Sequence, residues 1–292
     1  MSTFEIFTDS SCDLPKELIE KYNLHVMQLE VLVDDDPSVP NNQINIKEFY
    51  DRLHNGSTAK TCAVSPAVFE EEMRKVLKEG KDVLYVGFSS GLSATYANGM
   101  IAINELRDEF KERKIVDTDT LCASMGQGLL AYYAAELREK GESIESVCEK
   151  IEAIKQNIHH QVTVNDLFFL KRGGRISATT AVAGSILQIK PIIVVDEKGC
   201  LSSVSKARGR KGSLKELYNR FKATENMEQL PYVFISNSDC LEDAKKIEEM
   251  IMADYPQVKV VISDIGPVIG AHTGPGAIAV CYLGKTIKGT EQ

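Results

Sequence analysis

The feature that most constrains this 292-residue chain is an alternation of short apolar, β-prone runs with amphipathic segments of helical period. Phe4 to Thr8, Val26 to Val33, Val83 to Val86, Lys114 to Val116, Gln161 to Val164, Ile192 to Val195, Tyr232 to Ile235, Val258 to Ile262 and Ile278 to Leu283 read as strands. Between most of them, Pro66 to Lys78, Leu92 to Phe110, Leu121 to Lys140, Ile144 to Asn157 and Leu241 to Asp254 read as helices. Such alternation predicts an α/β protein with parallel strands joined by right-handed crossovers. Helix starts are marked by Ser65-Pro66 and Asp13-Leu14-Pro15. The length predicts two domains, with the break near residues 158 to 166, giving 1–160 and 161–292. The acidic, proline-bearing segment VDDDPSVPNNQINI (33–46) reads as a surface loop.

With 43% hydrophobic and 26% charged residues the chain has the composition of an ordinary globular protein. A net charge of −8 argues against bulk nucleic-acid binding, which needs a basic face. The amino terminus has neither a basic nor a long apolar leader region, and no apolar run approaches the roughly 18 residues that span a bilayer. A cytoplasmic protein that does not span a membrane is expected. Seven cysteines without a C-x-x-C pair indicate neither a disulfide framework nor a zinc ribbon, and the doublet His159-His160 has no companion ligand at metal spacing. No metal and no cofactor is expected.

Four segments carry possible chemistry. DVLYVGFSSGLSATYANGMIAI (82–103) reads as strand, tight turn and helix, and its Gly87-Phe88-Ser89-Ser90-Gly91 fits the G-x-S-x-G elbow of α/β-hydrolases. A serine esterase would use Ser89, then Asp117 or Asp119, then His272, in the chain order of that fold. The other reading keeps Ser89, Ser90 and Ser93 as hydroxyls around the free N–H groups of a helix start, a place that binds carboxylate or phosphate, or merely as caps. GPVIGAHTGPGAIAV (266–280) surrounds His272 and Thr273 with glycines, which reads either as a backbone that approaches a ligand closely or as a turn whose histidine faces water. LKRGGRIS (170–177) presents Arg172 and Arg175 around a glycine turn, suited either to holding an anion or to a surface fork paired with a neighbouring acid. KGCLSSVSKARGRKGSLK (198–215) contains no acid, and its basic second half reads as a solvated helix face, a turn or a docking site for an acidic partner.

Taken in order, FTDSSCDL, KTCAVSP, SSGLSATY, DTDTLCASMGQG, KRGGRIS, IKPII, ARGRKGSL and GPVIGAHTGPGA resemble the DegV family of bacterial lipid-binding proteins over nearly the whole chain. The resemblance implies a two-domain α/β fold, with a mostly parallel sheet in the first domain and a mixed α/β second domain. One long-chain fatty acid would lie between them. It also implies a carrier that is not itself an enzyme: a separate kinase, related to dihydroxyacetone kinases, phosphorylates the bound carboxylate, and the acyl phosphate feeds phospholipid synthesis through an acyltransferase at the membrane. Carried over by position, Thr61 and Ser93 match hydroxyls that hold the carboxylate. Arg175, His272 and Thr273 match its surroundings, and Arg208, with Arg210 and Lys211 beside it, matches the kinase-docking site. Cys62-Ala63-Val64 depart from the family's usual T-S-Q-P-S segment, which implies a changed, apolar wall beside the head group, and Ala94 stands where glycine is common.

Overall fold

A computed structural model describes residues 4–176 and 188–290. Ser177, the last residue of the KRGGRIS motif, lies outside the described residues. Four strands form a wholly parallel sheet in the order β2 (His25–Met27), β1 (Phe4–Asp9), β6 (Asp82–Gly87), β7 (Ile115–Asp119). A second, six-stranded sheet runs β10 (Leu201–Arg208), β9 (Ile189–Val195), β8 (Ile158–Thr163), β13 (Ile278–Leu283), β11 (Tyr232–Asn237), β12 (Lys259–Asp264). Here only β11 and β12 pair in parallel; the other pairs are antiparallel. The expected parallel crossovers therefore hold in the first half, and the second half is mixed.

Three readings of the sequence change. Val26 to Val33 is not one strand: the chain turns at Gln28-Leu29, so that β2 edges the parallel sheet. The following β3 (Glu30–Val33) joins a three-stranded sheet with β4 (Val39–Pro40) and β5 (Ala59–Cys62). The start of the basic run is a strand, β10, whose alternating small polar residues gave a weak apolar signal. Finally, β8 begins at Ile158 in the second sheet, so a boundary after residue 160 would cut through a strand.

Helices α1 (Lys16–Lys21), α2 (Ile46–His54), α3 (Pro66–Lys78) and α4 (Thr95–Glu109) belong to the first half. They are followed by α5 (Met125–Glu139), α6 (Ile144–Ile154), the short α7 (Phe168–Arg172), α8 (Gly209–Thr224), α9 (Leu241–Asp254) and α10 (Pro267–Thr273). The capping expected at Ser65 is present, its Oγ accepting from the Val68 N–H at 3.4 Å.

Helix α5 lies between the two large sheets. Twelve of its fifteen residues are buried, and one apolar cluster joins Leu129, Leu130 and Ala134 to Ile6 and Leu84 of the first sheet and to Phe234 and Cys281 of the second. Close approach on both sides needs its first turn to be narrow. A Cβ on Gly126 would stand 2.0 Å from His160 Nε2 of β8, and one on Gly128 would stand 2.6 Å from the Cys12 carbonyl. Two residues apart on a helix is roughly 200° around its axis, so the two glycines face opposite layers. Gly126→Ala is expected to destabilise the fold by about 1–3 kcal/mol through overpacking against an immobile ring. A fall in the urea midpoint with an unchanged slope would show this, and an unchanged midpoint would contradict it.

Candidate functional site

A cavity runs between the second sheet, the turn after β6 and helix α10. Most of its wall is apolar, with Leu92, Val162, Leu170, Ile193, Val195 and Val268 among the lining residues. Against that wall stand Thr61, Ser93, Arg175, His272 and Thr273, all five of the residues expected around a carboxylate. They arrive from four places: β5, the turn before α4, the turn after α7, and α10. The small-sheet pairing of Val31 with Thr61 fixes the first, and the Tyr50 hydroxyl, donating to the Ile265 carbonyl at 2.7 Å, fixes the approach to the last.

The polar residues hold one another. Thr61 Oγ1 and His272 Nε2 are 2.9 Å apart, while His272 Nδ1 is buried without a hydrogen-bond partner against Gly173, where a Cβ would come within 2.2 Å of it. Burial, reinforced by the positive charges of Arg175 and Arg172, lowers the His272 pKa to about 4, so the imidazole is neutral at pH 7. Arg175 donates from Nε to the Leu92 carbonyl at 3.2 Å and from Nη1 to the Gly173 carbonyl. Its own pKa is lowered by burial. Ser93 Oγ accepts from the Thr95 N–H at 3.2 Å and lies 2.9 Å from Thr95 Oγ1, so it is held in the turn just before α4 while lining the cavity. Thr273 Oγ1 donates back to the Ile269 carbonyl at 3.1 Å. One cationic guanidinium, a neutral imidazole and three hydroxyls thus meet at an apolar cavity. That arrangement suits a buried anion.

The esterase alternative does not survive this geometry. Ser89 is completely buried and donates to the Gly199 carbonyl at 2.8 Å, away from His272, whose partner is Thr61. Asp119 accepts from the Ser90 and Leu121 N–H groups at 3.2 and 3.1 Å, and Asp117 takes Arg107 and the Tyr96 hydroxyl. No triad is assembled, and the elbow is a structural turn.

Two further expectations change. Cys62 is exposed and Val64 is packed in the core, with its carbonyl accepting from Asn98 Nδ2 at 2.8 Å. None of Cys62, Ala63 and Val64 lines the cavity, so the apolar wall expected there is not formed by them. Strand alternation explains this, since Thr61 points inward and its neighbour outward. Arg208 and Lys211 are exposed at the β10–α8 junction, but Arg210 turns inward. It donates to Asp243 at 2.8 Å and to the Gly276 carbonyl at 2.7 Å, bracing the loop after α10 and leaving it poorly placed for docking.

Sequence reasoning assigned no role to Ser124 or His160, yet both line the cavity. The His160 ring lies against Ala123, with Nε2 3.2 Å from its carbonyl, and burial followed by the Lys288 charge lowers its pKa to about 3. The S-M-G-Q-G glycine spacing was the available signal. Among the described residues no cluster of three or more His, Cys, Asp or Glu could hold a metal ion, and no helix is long and apolar enough to cross a membrane.

A family model described as an uncharacterised protein of the DegV family matches residues 3–285. A DegV domain-containing protein of Clostridium perfringens is 40% identical over 288 residues, covering 98% of this chain and 99% of the relative. Among solved structures, a DegV family protein from Thermus thermophilus, described for its fatty acid binding, superposes with a TM-score of 0.85 at 27% identity, over 97% of this chain and 100% of that one. DegV of Bacillus subtilis, described as a fatty acid binding protein, gives 0.83 at 27% identity, over 98% and 100%.

Because the folded-state pKa values of His272 and His160 lie below the ordinary 6.5, the unfolded chain takes up these protons first as pH falls. Their stabilising contribution is complete above about 6.5 and is lost as pH falls towards 4 and then 3. Imidazole NMR titration of the unliganded protein is expected to give a His272 midpoint near 4; an ordinary midpoint would mean that water fills the site.

Proposed function

We propose, from the premise that this chain belongs to the DegV family, that it binds a long-chain fatty acid in this cavity. The observation that carries the reading is the convergence of Thr61, Ser93, Arg175, His272 and Thr273 on one otherwise apolar cavity. The Arg175 guanidinium neutralises a carboxylate, and the Thr61 and Ser93 hydroxyls donate to its lone pairs. The acyl chain removes apolar surface from water at about 25 cal/mol per Å². A neutral His272 fits this role, because a second buried cation would overcompensate a single carboxylate.

The finer part of the proposal is that the chain is a carrier with no catalysis of its own, presenting the carboxylate to a separate fatty acid kinase of the dihydroxyacetone kinase type. An acyltransferase at the membrane would then use the acyl phosphate. The β9–β10 ribbon supplies Ile193, Val195 and Leu201 to the cavity wall and ends at exposed Arg208, followed by exposed Lys211. On a chain of net charge −8, this basic junction favours an acidic partner surface. Arg210 supports the same junction from inside.

Native mass spectrometry of protein purified without added lipid, followed by denaturing release, is expected to yield a stoichiometric long-chain fatty acid. An empty chain, or one holding only a small anion, would overturn the reading. Thr61→Ala and Ser93→Ala are each expected to weaken fatty acid binding by about 1–3 kcal/mol, the cost of a lost hydrogen bond to a charged group. Unchanged affinity in both would remove the carboxylate from this cluster. With a fatty acid kinase supplied, Arg208→Ala is expected to leave lipid affinity intact and lower the rate of phosphorylation. Equal loss of both would place Arg208 in the fold or the cavity instead.

A further inference from the structure

Lys288 is completely buried, an expensive position for an ammonium group unless each N–H finds an acceptor. Its Nζ donates to the Leu121 carbonyl at 2.6 Å, to the Lys155 carbonyl at 3.2 Å and to Cys122 Sγ at 3.4 Å. Cys122 is equally buried, in the core around α5. Its backbone is fixed as well, the carbonyl accepting from the Ser89 N–H at 3.0 Å and the N–H donating to Thr120 Oγ1 at 3.1 Å. Neither the proposed lipid site nor partner docking uses this pair. It joins a residue close to the carboxyl end of the described chain to the β7–α5 loop, whose next two residues, Ala123 and Ser124, line the cavity.

We propose that Cys122 and Lys288 form an oxidation-dependent covalent cross-link in which one oxygen atom bridges the sulfur and the lysine nitrogen. The separation favours an inserted oxygen: two bonds through oxygen span most of 3.4 Å, whereas a direct S–N bond would require the fixed loop to move much further. Burial raises the thiol pKa, and the Lys288 charge and hydrogen bond offset part of that rise, favouring the thiolate, the form whose sulfur attacks a peroxide oxygen.

Hydrogen peroxide is the oxidant. A first equivalent converts the thiol to a sulfenic acid and releases water. A second removes one hydrogen from the sulfenic acid and one from the amine, forms the N–O bond and releases two waters. Sulfur and nitrogen each lose two electrons, two peroxide O–O bonds are reduced, and one peroxide oxygen is retained. A lysine that starts as ammonium gives one further proton to solvent. Six other cysteines compete for peroxide, among them exposed Cys62, so the product must be located by peptide rather than by total mass. Alternative partners within the same core are Cys281 and Cys12, both buried.

The test is peroxide treatment of the purified full chain, then digestion and mass spectrometry without reductant. The expected product is a cross-linked pair of peptides containing Cys122 and Lys288, heavier by one oxygen and lighter by two hydrogens than their sum. Dithiothreitol should return both peptides unmodified. Lys288→Arg, which keeps a cation and its donors, is expected to lose the cross-link and carry Cys122 as sulfenic or sulfinic acid. Three results would overturn the proposal: wild-type Cys122 found only as free acids of sulfur, Cys122 found in a disulfide with Cys281 or Cys12, or Cys122 unmodified after exposed Cys62 has been oxidised. The wild-type result stands whether or not the variant folds.

Discussion

Burial of α5 on both of its faces is the constraint from which the rest of the architecture follows. An ordinary surface helix has one apolar stripe, and a sheet with one covered face can leave the other to water. Here a run of small and apolar residues lets one helix serve as core for a parallel sheet and a mixed sheet at once. The chain consequently cannot be divided into two lobes that merely touch. The cavity opens where that shared layer ends, beside Ala123 and Ser124 at the start of the helix.

Polar side chains hold this end of the molecule together. Asp9, at the tip of β1, accepts from the Ser11 and Phe88 N–H groups and from Gln127 Nε2, each at 3.1 Å, and so joins the first strand, the turn after β6 and α5. Asp13, in a left-handed backbone conformation, accepts from Ser124 Oγ at 2.5 Å and from the Gly266 N–H at 2.9 Å, tying the start of α5 to the start of α10. Burial raises the Asp13 pKa to about 8, which fits a carboxyl held by directed hydrogen bonds rather than by a cation. His272 and Thr273 lie on the helix that Asp13 anchors, so the site's geometry depends on a residue 259 positions from the first of them by sequence and outside the cavity wall.

Much of this was legible before any coordinates. Strands with continuous apolar runs, such as Val83 to Val86 and Ile278 to Leu283, were found because burial on both faces leaves a strong signal. The β10 strand was hidden by serines and basic residues, and the split of Val26 to Val33 was hidden because both pieces are β-prone and only the sheet partner changes. The site residues were reached through ordered motifs rather than through physics. Nothing local to Thr61 announces that a histidine 211 positions away will sit 2.9 Å from its hydroxyl. The misleading signal was the elbow around Ser89, because the same strand–turn–helix backbone serves a nucleophile, a cap or an anion site. Only the direction of the side chain, here towards Gly199, decides among them.

Head and tail would have different tasks in the proposed complex. Each buried methylene contributes about 0.8 kcal/mol, so a long acyl chain outweighs any single hydrogen bond of about 1–3 kcal/mol at the carboxylate. Apolar transfer is nearly indifferent to direction, however, and a tail alone could slide or reverse in an apolar tunnel. A reversed chain would bury its carboxylate against aliphatic wall with no guanidinium and few donors, at a cost of several kcal/mol. Orientation therefore comes from the polar cluster even though most of the affinity does not. Because the Arg175 charge and the Thr61–His272 contact lie against one part of the cavity wall, the carboxyl group would be held at a fixed position while chain length varied at the other end. A carrier that must offer one chemical group to another protein needs that property more than it needs tight binding.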